Sequence, residues 1–303
     1  TVEFPAQKML QVSMSTGFNT RTTFQNFRTY DGGGLDIFGF DDGGRGLPSA
    51  IPTDRRVTIG TDSRQQLADY AKAFSNNWET RPLTSMRPSQ TYNIVGGGTM
   101  GKVGLVGALT FTSKPQYQQE EQTYYRRLGL GGTIAPYSTY SDFRQYDEFT
   151  RMGGVLNLAY KINPNHKLLV RNTLTRDTDK EAREFSGEDN NQGGIISSER
   201  TRWIERSLFS TGLAGDHALP KWKNLLAKWQ FTYSTSSRDE PDLREVLRAK
   251  QDDGRWAYLN LGNSGQRFFN SFTDHIYEPQ FEISQPFFKG MLTGAWSAGV
   301  RVT

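Results

Sequence analysis

Three kinds of side chain in this sequence have the types and spacing that chemistry requires. Adjacent carboxylates stand at Glu120-Glu121 and Glu188-Asp189, and such a pair works as general acid and base when its surroundings split the two pKa values. Both pairs lie in polar stretches with nothing apolar beside them, so the sequence predicts solvated acids. Carboxylates interleaved with glycine occur at Asp31-Gly-Gly-Gly-Leu-Asp36 and Asp41-Asp42-Gly-Gly-Arg45. Oxygen ligands on flexible backbone suit hard cations, but the spacing matches no EF-hand. A glycine-rich turn with solvated carboxylates is the simpler reading. The histidines His166, His217 and His275 show no metal-ligand spacing, and no nucleophile, histidine and acid occur as a set. Gly96-Gly97-Gly98 leads into a turn and another strand rather than a helix, which argues against a phosphate cradle. Small residues there instead make room for a neighbouring segment. These readings point away from an enzyme and from any cofactor.

What remains is a set of aromatics in polar surroundings: Trp78, Tyr124, Tyr125, Tyr137 and Tyr140. Rings of this kind stack on sugars and other ligand faces, and packing at a rim explains them equally well. They are the candidate ligand-binding residues.

The elements that position them follow from composition and periodicity. Hydrophobic residues make up 35% of the 303 residues, yet aromatics reach 13% and glycine 31 positions. That profile suits strands with only one apolar face, and the aromatics disfavour disorder. The net charge of +4 is mild and the charges are interspersed, so nucleic-acid binding is not indicated. Cysteine is absent, which removes disulfides and thiolate metal sites. No apolar run approaches the roughly 20 residues of a membrane helix.

Alternation with period two places every second side chain on one face of a strand. It is clearest where Leu10, Val12, Met14 and Phe18 alternate with polar residues. The same pattern recurs through Val103 to Phe111, Met152 to Ile162, Ala227 to Tyr233, Tyr277 to Ile283 and Leu292 to Val302. Tyr92 to Met100, Leu168 to Thr175 and Trp203 to Gly215 carry it more weakly. About nine strands result, several near the 9–11 residues that a tilted strand needs to cross hydrocarbon. Gln11, Asn157, Lys161, Lys228, Gln230 and Arg301 sit mid-strand on the polar face, where a dry core would penalise them.

Short links at Gly101-Lys102, Pro164 to His166, Leu219 to Asn224 and Pro286 to Gly290 alternate with long polar excursions at residues 20–88, 113–149, 176–201 and 236–272. This alternation puts all long loops on one side, as in outer-membrane barrels. Within the first excursion, Asp62 or Ser63 caps a predicted helix bearing Leu67, Tyr70, Ala71 and Phe74 on one face. In the last, Pro241 opens a second predicted helix with Leu243, Val246 and Leu247 as its apolar stripe.

Several segments resemble the TonB-dependent outer-membrane receptor family. Thr1-Val-Glu-Phe-Pro5 resembles the end of the family's plug as it enters the barrel, and residues 17–20 through 39–48 are similar to its first strand and loop. Glu205 to His217 with Trp229 to Asp242 resembles a barrel hairpin and the loop after it. The resemblance implies an all-β, antiparallel up-and-down transmembrane barrel of about 22 strands closed around a plug. Residues 1–7 would end the plug or its linker, and residues 8–303 would form the N-terminal part of the barrel. No plug or energy-coupling box is present in the sequence, and an odd, unfinished strand count cannot close a bacterial barrel. The chain is therefore expected to be part of a longer receptor. The implied activity is uptake of an iron chelate, cobalamin, oligosaccharide or peptide across the bacterial outer membrane. The implied partners are outer-membrane lipid, the TonB-ExbB-ExbD complex acting through the plug, the nutrient and a surface lipoprotein. A passive porin or a structural surface barrel without energy coupling is the alternative reading.

Overall fold

The computed structural model describes residues 4–129, 131–262, 264–289 and 292–302. Among them the chain is overwhelmingly antiparallel β: β1 (Met9–Gly17), β2 (Phe27–Thr29), α1 (Arg64–Ala73), β3 (Arg81–Leu83), β4 (Ser89–Met100), β5 (Val103–Arg127), β6 (Ile134–Asn163), β7 (His166–Asp189), β8 (Gly194–Leu219), β9 (Leu225–Lys250), β10 (Trp256–Tyr258), β11 (Gln266–Lys289) and β12 (Leu292–Arg301). Nine of these form one continuous meander, β1-β4-β5-β6-β7-β8-β9-β11-β12, with β10 added to the upper end of β9. No helix among the described residues is long and apolar enough to cross a membrane.

Register carries the alternation across the whole sheet. Val12 pairs with Ile94, Ile94 with Leu109, Leu109 with Gly154, Gly154 with Leu174 and Leu174 with Phe209, so apolar residues of successive strands fall in one row on one face. A slip of one residue would move each to the other face. Two short links use left-handed backbone to reverse the chain tightly: Gly101 has φ 57°, and Lys223 and Asn224 have φ 54° and 60°.

Three of the four expected excursions are not loops. β5 and β6 continue through 113–149 and leave only residues 128–133 between them. β7 and β8 likewise fill most of 176–201, and β9 with β11 most of 236–272. The helix expected after Pro241 is also absent; those residues belong to β9, and Val246 and Leu247 are buried there. These upper halves are largely polar and carry only scattered apolar residues, such as Tyr146, Ala182 and Trp203, which is why periodicity misses them. Cross-strand ion pairs such as Arg151 with Asp177, at 2.7 Å, accompany the ladder hydrogen bonds instead. At 30 residues, β6 spans on the order of 100 Å, several times a bilayer's hydrocarbon core.

Among the described residues, 18–88 form the longest connection, and it has its own structure. Ser63 caps α1 with a complete capping box: its side chain accepts from the Gln66 backbone N–H at 3.2 Å, and the Ser63 N–H donates to the Gln66 side chain at 2.8 Å. The connection folds down onto the sheet. Phe27, Tyr30 and Met86 bury against Tyr146 of β6 and Ala182 of β7. The Gly39 carbonyl accepts from Thr178 Oγ1 at 2.9 Å and from Arg176 Nε at 3.0 Å. Because Leu174, Arg176 and Thr178 alternate along β7, the connection covers the upward continuation of the apolar face. The N-terminal segment takes the opposite side: Phe4 packs on Ala159, Leu169 and Ala214, and Thr99 Oγ1 donates to the Pro5 carbonyl at 2.9 Å. A Cβ at Gly97 would come 3.0 Å from the Leu105 carbonyl oxygen, so the glycine there eases the close approach of β5, while Pro5 Cγ lies at ordinary contact distance.

Candidate functional site

Extension of β5, β6 and β7 above the apolar rows brings together rings that are distant in sequence. Tyr124 meets Tyr140 edge-on with centroids 5.8 Å apart, Tyr140 meets Phe185 at 4.8 Å, and Phe185 stacks on Phe143 at 5.7 Å and 10°. The Arg183 guanidinium lies 5.4 Å from the Phe143 ring, a cation–π contact. Arg183 and Phe185 alternate with Leu174, Arg176 and Thr178 along β7, so this aromatic ladder occupies the polar face. The Tyr140 hydroxyl donates to Asp189 Oδ2 at 2.8 Å. Burial, then the Asp189 carboxylate, pushes the Tyr140 phenol well above its ordinary range.

The sequence candidates are therefore divided by the fold. Tyr124 and Tyr140 belong to the ladder. Tyr137 sits beside it, with Arg126 4.8 Å from its ring centre and its hydroxyl donating to Asn191 at 2.8 Å. Tyr125 is largely exposed and makes none of these ring contacts. Trp78 lies elsewhere, on the long connection, where the Arg267 guanidinium stands 4.9 Å from its ring. There it lines a cavity of about 810 Å³ with Tyr30, Asn77, Arg244, Arg248 and Tyr258. Phe143, Phe185 and Arg183 carry no signal in the sequence, because their segments are polar and show no apolar alternation. Read as strands, Arg183 and Phe185 would have fallen on one face.

Below the ladder the polar face carries paired charges. Arg183 and Arg200 both reach Glu245, at 3.2 and 2.8 Å, and Arg202 bridges Glu240 at 2.9 Å and Glu181 at 3.4 Å. Arg206 meets Asp179 at 2.7 Å. Asp147 accepts hydrogen bonds from Gln145, at 3.0 and 3.2 Å. Burial raises its pKa to about 6, with the Glu181 and Asp179 charges adding to the effect.

Of the acids expected to be solvated, Asp31, Glu121 and Glu188 are exposed, whereas others are engaged by the fold. Asp189 is buried beneath Tyr140. Asp36 and Asp41 serve Arg45, at 2.5 and 2.8 Å, and Asp36 also meets Lys180 at 2.9 Å. Burial opposes ionisation of Asp36, but the hydrogen bonds from Arg45 and Lys180 outweigh it and hold the carboxyl below its usual range. Glu120 accepts from the Gln118 and Gln122 side chains. His166 and His217, with no spacing signal in sequence, face each other across β7 and β8 with their Nδ1 atoms 3.0 Å apart. The Trp229 indole N–H donates to His217 Nε2 at 3.0 Å. That donation fixes the His217 proton on Nδ1, from which it points to His166.

No protein-family model and no curated protein matches the chain.

Proposed function

We propose that this chain forms part of the wall of a bacterial outer-membrane transport barrel, a TonB-dependent receptor that captures a nutrient outside and admits it to the periplasm. One observation carries the reading. Along the long strands the exposed apolar residues of one face concentrate in the stretch beside the short turns, as with Leu105 and Leu109 in β5, Leu156 and Leu158 in β6 and Phe231 in β9, with Ile195 at the far end of β8 an exception. The opposite face there holds Asn157, Lys161, Gln230 and Lys228. Lipid on one side and a wet lumen on the other satisfy both faces at once.

The upper halves of the strands then project beyond the membrane, and the ladder of Tyr124, Tyr140, Phe185 and Phe143 lines the lumenal wall at the outer mouth. Aromatic faces backed by arginine suit an oligosaccharide or an aromatic iron chelate. The N-terminal segment supports energy-coupled uptake over a passive pore. Phe4 and Pro5 lie against the polar face, where a chain leaving a lumenal plug would pass into β1.

The test is uptake in cells carrying the protein. Transport of the cognate nutrient should stop when the proton-motive force is collapsed, and Tyr140→Ala should raise the half-saturating concentration several-fold. Transport that survives the collapse would identify a passive pore.

A further inference from the structure

We propose that the connection between β1 and β4 is a membrane-surface anchor, which lies against the outer wall and sets the side chains of Leu35, Ile37 and Phe38 into the outer leaflet. This inference rests on the outer-membrane reading above and names a lipid contact which that reading does not require.

The side of the sheet comes first. Loops of a barrel are free to fold inward over the lumen, but this one packs on the face that carries the apolar rows. Gly39 is held by Arg176 and Thr178, and the next residue down β7 on that face is Leu174, 49% exposed. The height follows from the rings. Phe38 stands 6.3 Å from Phe111 of β5, and Phe111 stands 6.3 Å from Tyr92 of β4, so the connection meets the aromatic row at the upper edge of the apolar band. Aromatic rows of this kind sit at the boundary between headgroups and acyl chains.

Exposure and attachment complete the argument. Leu35, Ile37 and Phe38 are 49, 48 and 52% exposed, whereas Asp36 between them turns inward to Arg45 and Lys180. The apolar side chains are thus presented outward by a turn fixed to the wall through a buried charge cluster. A second tip repeats the pattern. Phe18 and Phe24 are 70 and 63% exposed with rings 6.2 Å apart, and Phe24 takes φ 60°, a conformation rare for a bulky residue. Its backbone N–H donates to the Met86 carbonyl at 2.8 Å, so the fold holds the ring out. Lipid is the occupant that these tips fit, because they continue an apolar band already assigned to lipid and lie directly above it.

The chain contains no cysteine, which permits nitroxide labelling of single variants Phe38→Cys, Phe231→Cys and Asp69→Cys. The protein would be reconstituted in phosphatidylethanolamine and phosphatidylglycerol vesicles. Collision with oxygen, which partitions into lipid, would be compared with collision with a water-soluble nickel chelate. The ratio of oxygen to nickel accessibility at position 38 should exceed that at position 69 on exposed α1 by several-fold and approach that at position 231. A label at 38 as open to nickel as the one at 69, with 231 still in lipid, overturns the anchor and leaves the barrel reading intact. A label at 38 shielded from both reagents also overturns it, by showing protein cover. Nickel access at 231 would remove the membrane reading itself, and the anchor with it.

Discussion

The guanidinium of Arg45 lies 4.2 Å from the ring of Trp203, and both side chains are buried, at 6 and 1% exposure. Arg45 comes from the connection after β1 and Trp203 from β8, so this contact ties the connection to the middle of the sheet. The same guanidinium meets Asp36 and Asp41, and Lys180 meets Asp36 from β7. Breaking a buried ion pair by removing one partner costs about 3–5 kcal/mol, because the other charge is left unpaired. Arg45→Met should therefore release the connection while the strands persist. Limited trypsin digestion should cut at Arg55 and Arg56 much faster in the variant. Arg45→Lys should protect only partly, since lysine keeps the charge but not the planar stack on Trp203.

Neighbouring positions of β9 should respond oppositely to the same change. Phe231→Arg places a charge on the face assigned to lipid and should lower folding stability in vesicles by about 2–4 kcal/mol. Gln230→Arg, one residue earlier, points to the polar face and should cost little. Equilibrium urea unfolding in phospholipid vesicles measures both. Equal penalties at the two positions would contradict the assignment of faces.

Asp147 makes stability depend on pH in a stated direction. Its folded pKa, about 6, exceeds the ordinary value of 3.8, so the folded state binds the proton more tightly than the unfolded one. The associated stabilisation is complete below pH about 4 and is lost as pH rises through about 6. Asp147→Asn removes the half-buried charge, and its thermal midpoint should rise relative to the parent at pH 7.5. The gain should be no more than about 3 kcal/mol and should vanish at pH 4. A gain of equal size at both pH values would mean that packing, not titration, is responsible.

Gly187 controls the end of the β6-β7 pair that lies farthest from the short turn joining them. A Cβ there would fall 2.0 Å from the Thr139 carbonyl oxygen and 2.6 Å from Tyr140 Cα, which are backbone atoms with no freedom to rotate away. Gly187→Ala should force the two strands apart and break the Tyr140–Asp189 hydrogen bond. Faster hydrogen exchange confined to residues 138–143 and 184–189 is the expected signature. Unchanged exchange there would show that the close approach is not maintained in solution.

Much of the frame was legible in the residues themselves. Rows such as Leu10, Val12 and Met14, or Leu156, Leu158 and Tyr160, announce strands wherever one face is apolar, because alternation leaves a signal that survives without any partner. Asp62 or Ser63 likewise marked the start of α1, because a cap is a local hydrogen bond; the structure selects Ser63. The upper halves of β5 to β9 carry no such signal. Arg151 finds Asp177 26 residues away, and Glu245 meets Arg183 62 residues away, so these segments read as polar loops until their neighbours are in register.

The division at the candidate site has the same origin. Trp78, Tyr124, Tyr125, Tyr137 and Tyr140 look alike in sequence, and pairing across strands alone joins Tyr124 and Tyr140 to Phe143 and Phe185 while leaving Trp78 on another face. The order of residues along the chain determined which segments have two unlike faces, since that depends only on a repeat of two. Which polar stretches extend as strands, which rings meet, and on which side the long connection lies were decided by tertiary structure, because each depends on contacts between groups that the chain keeps far apart.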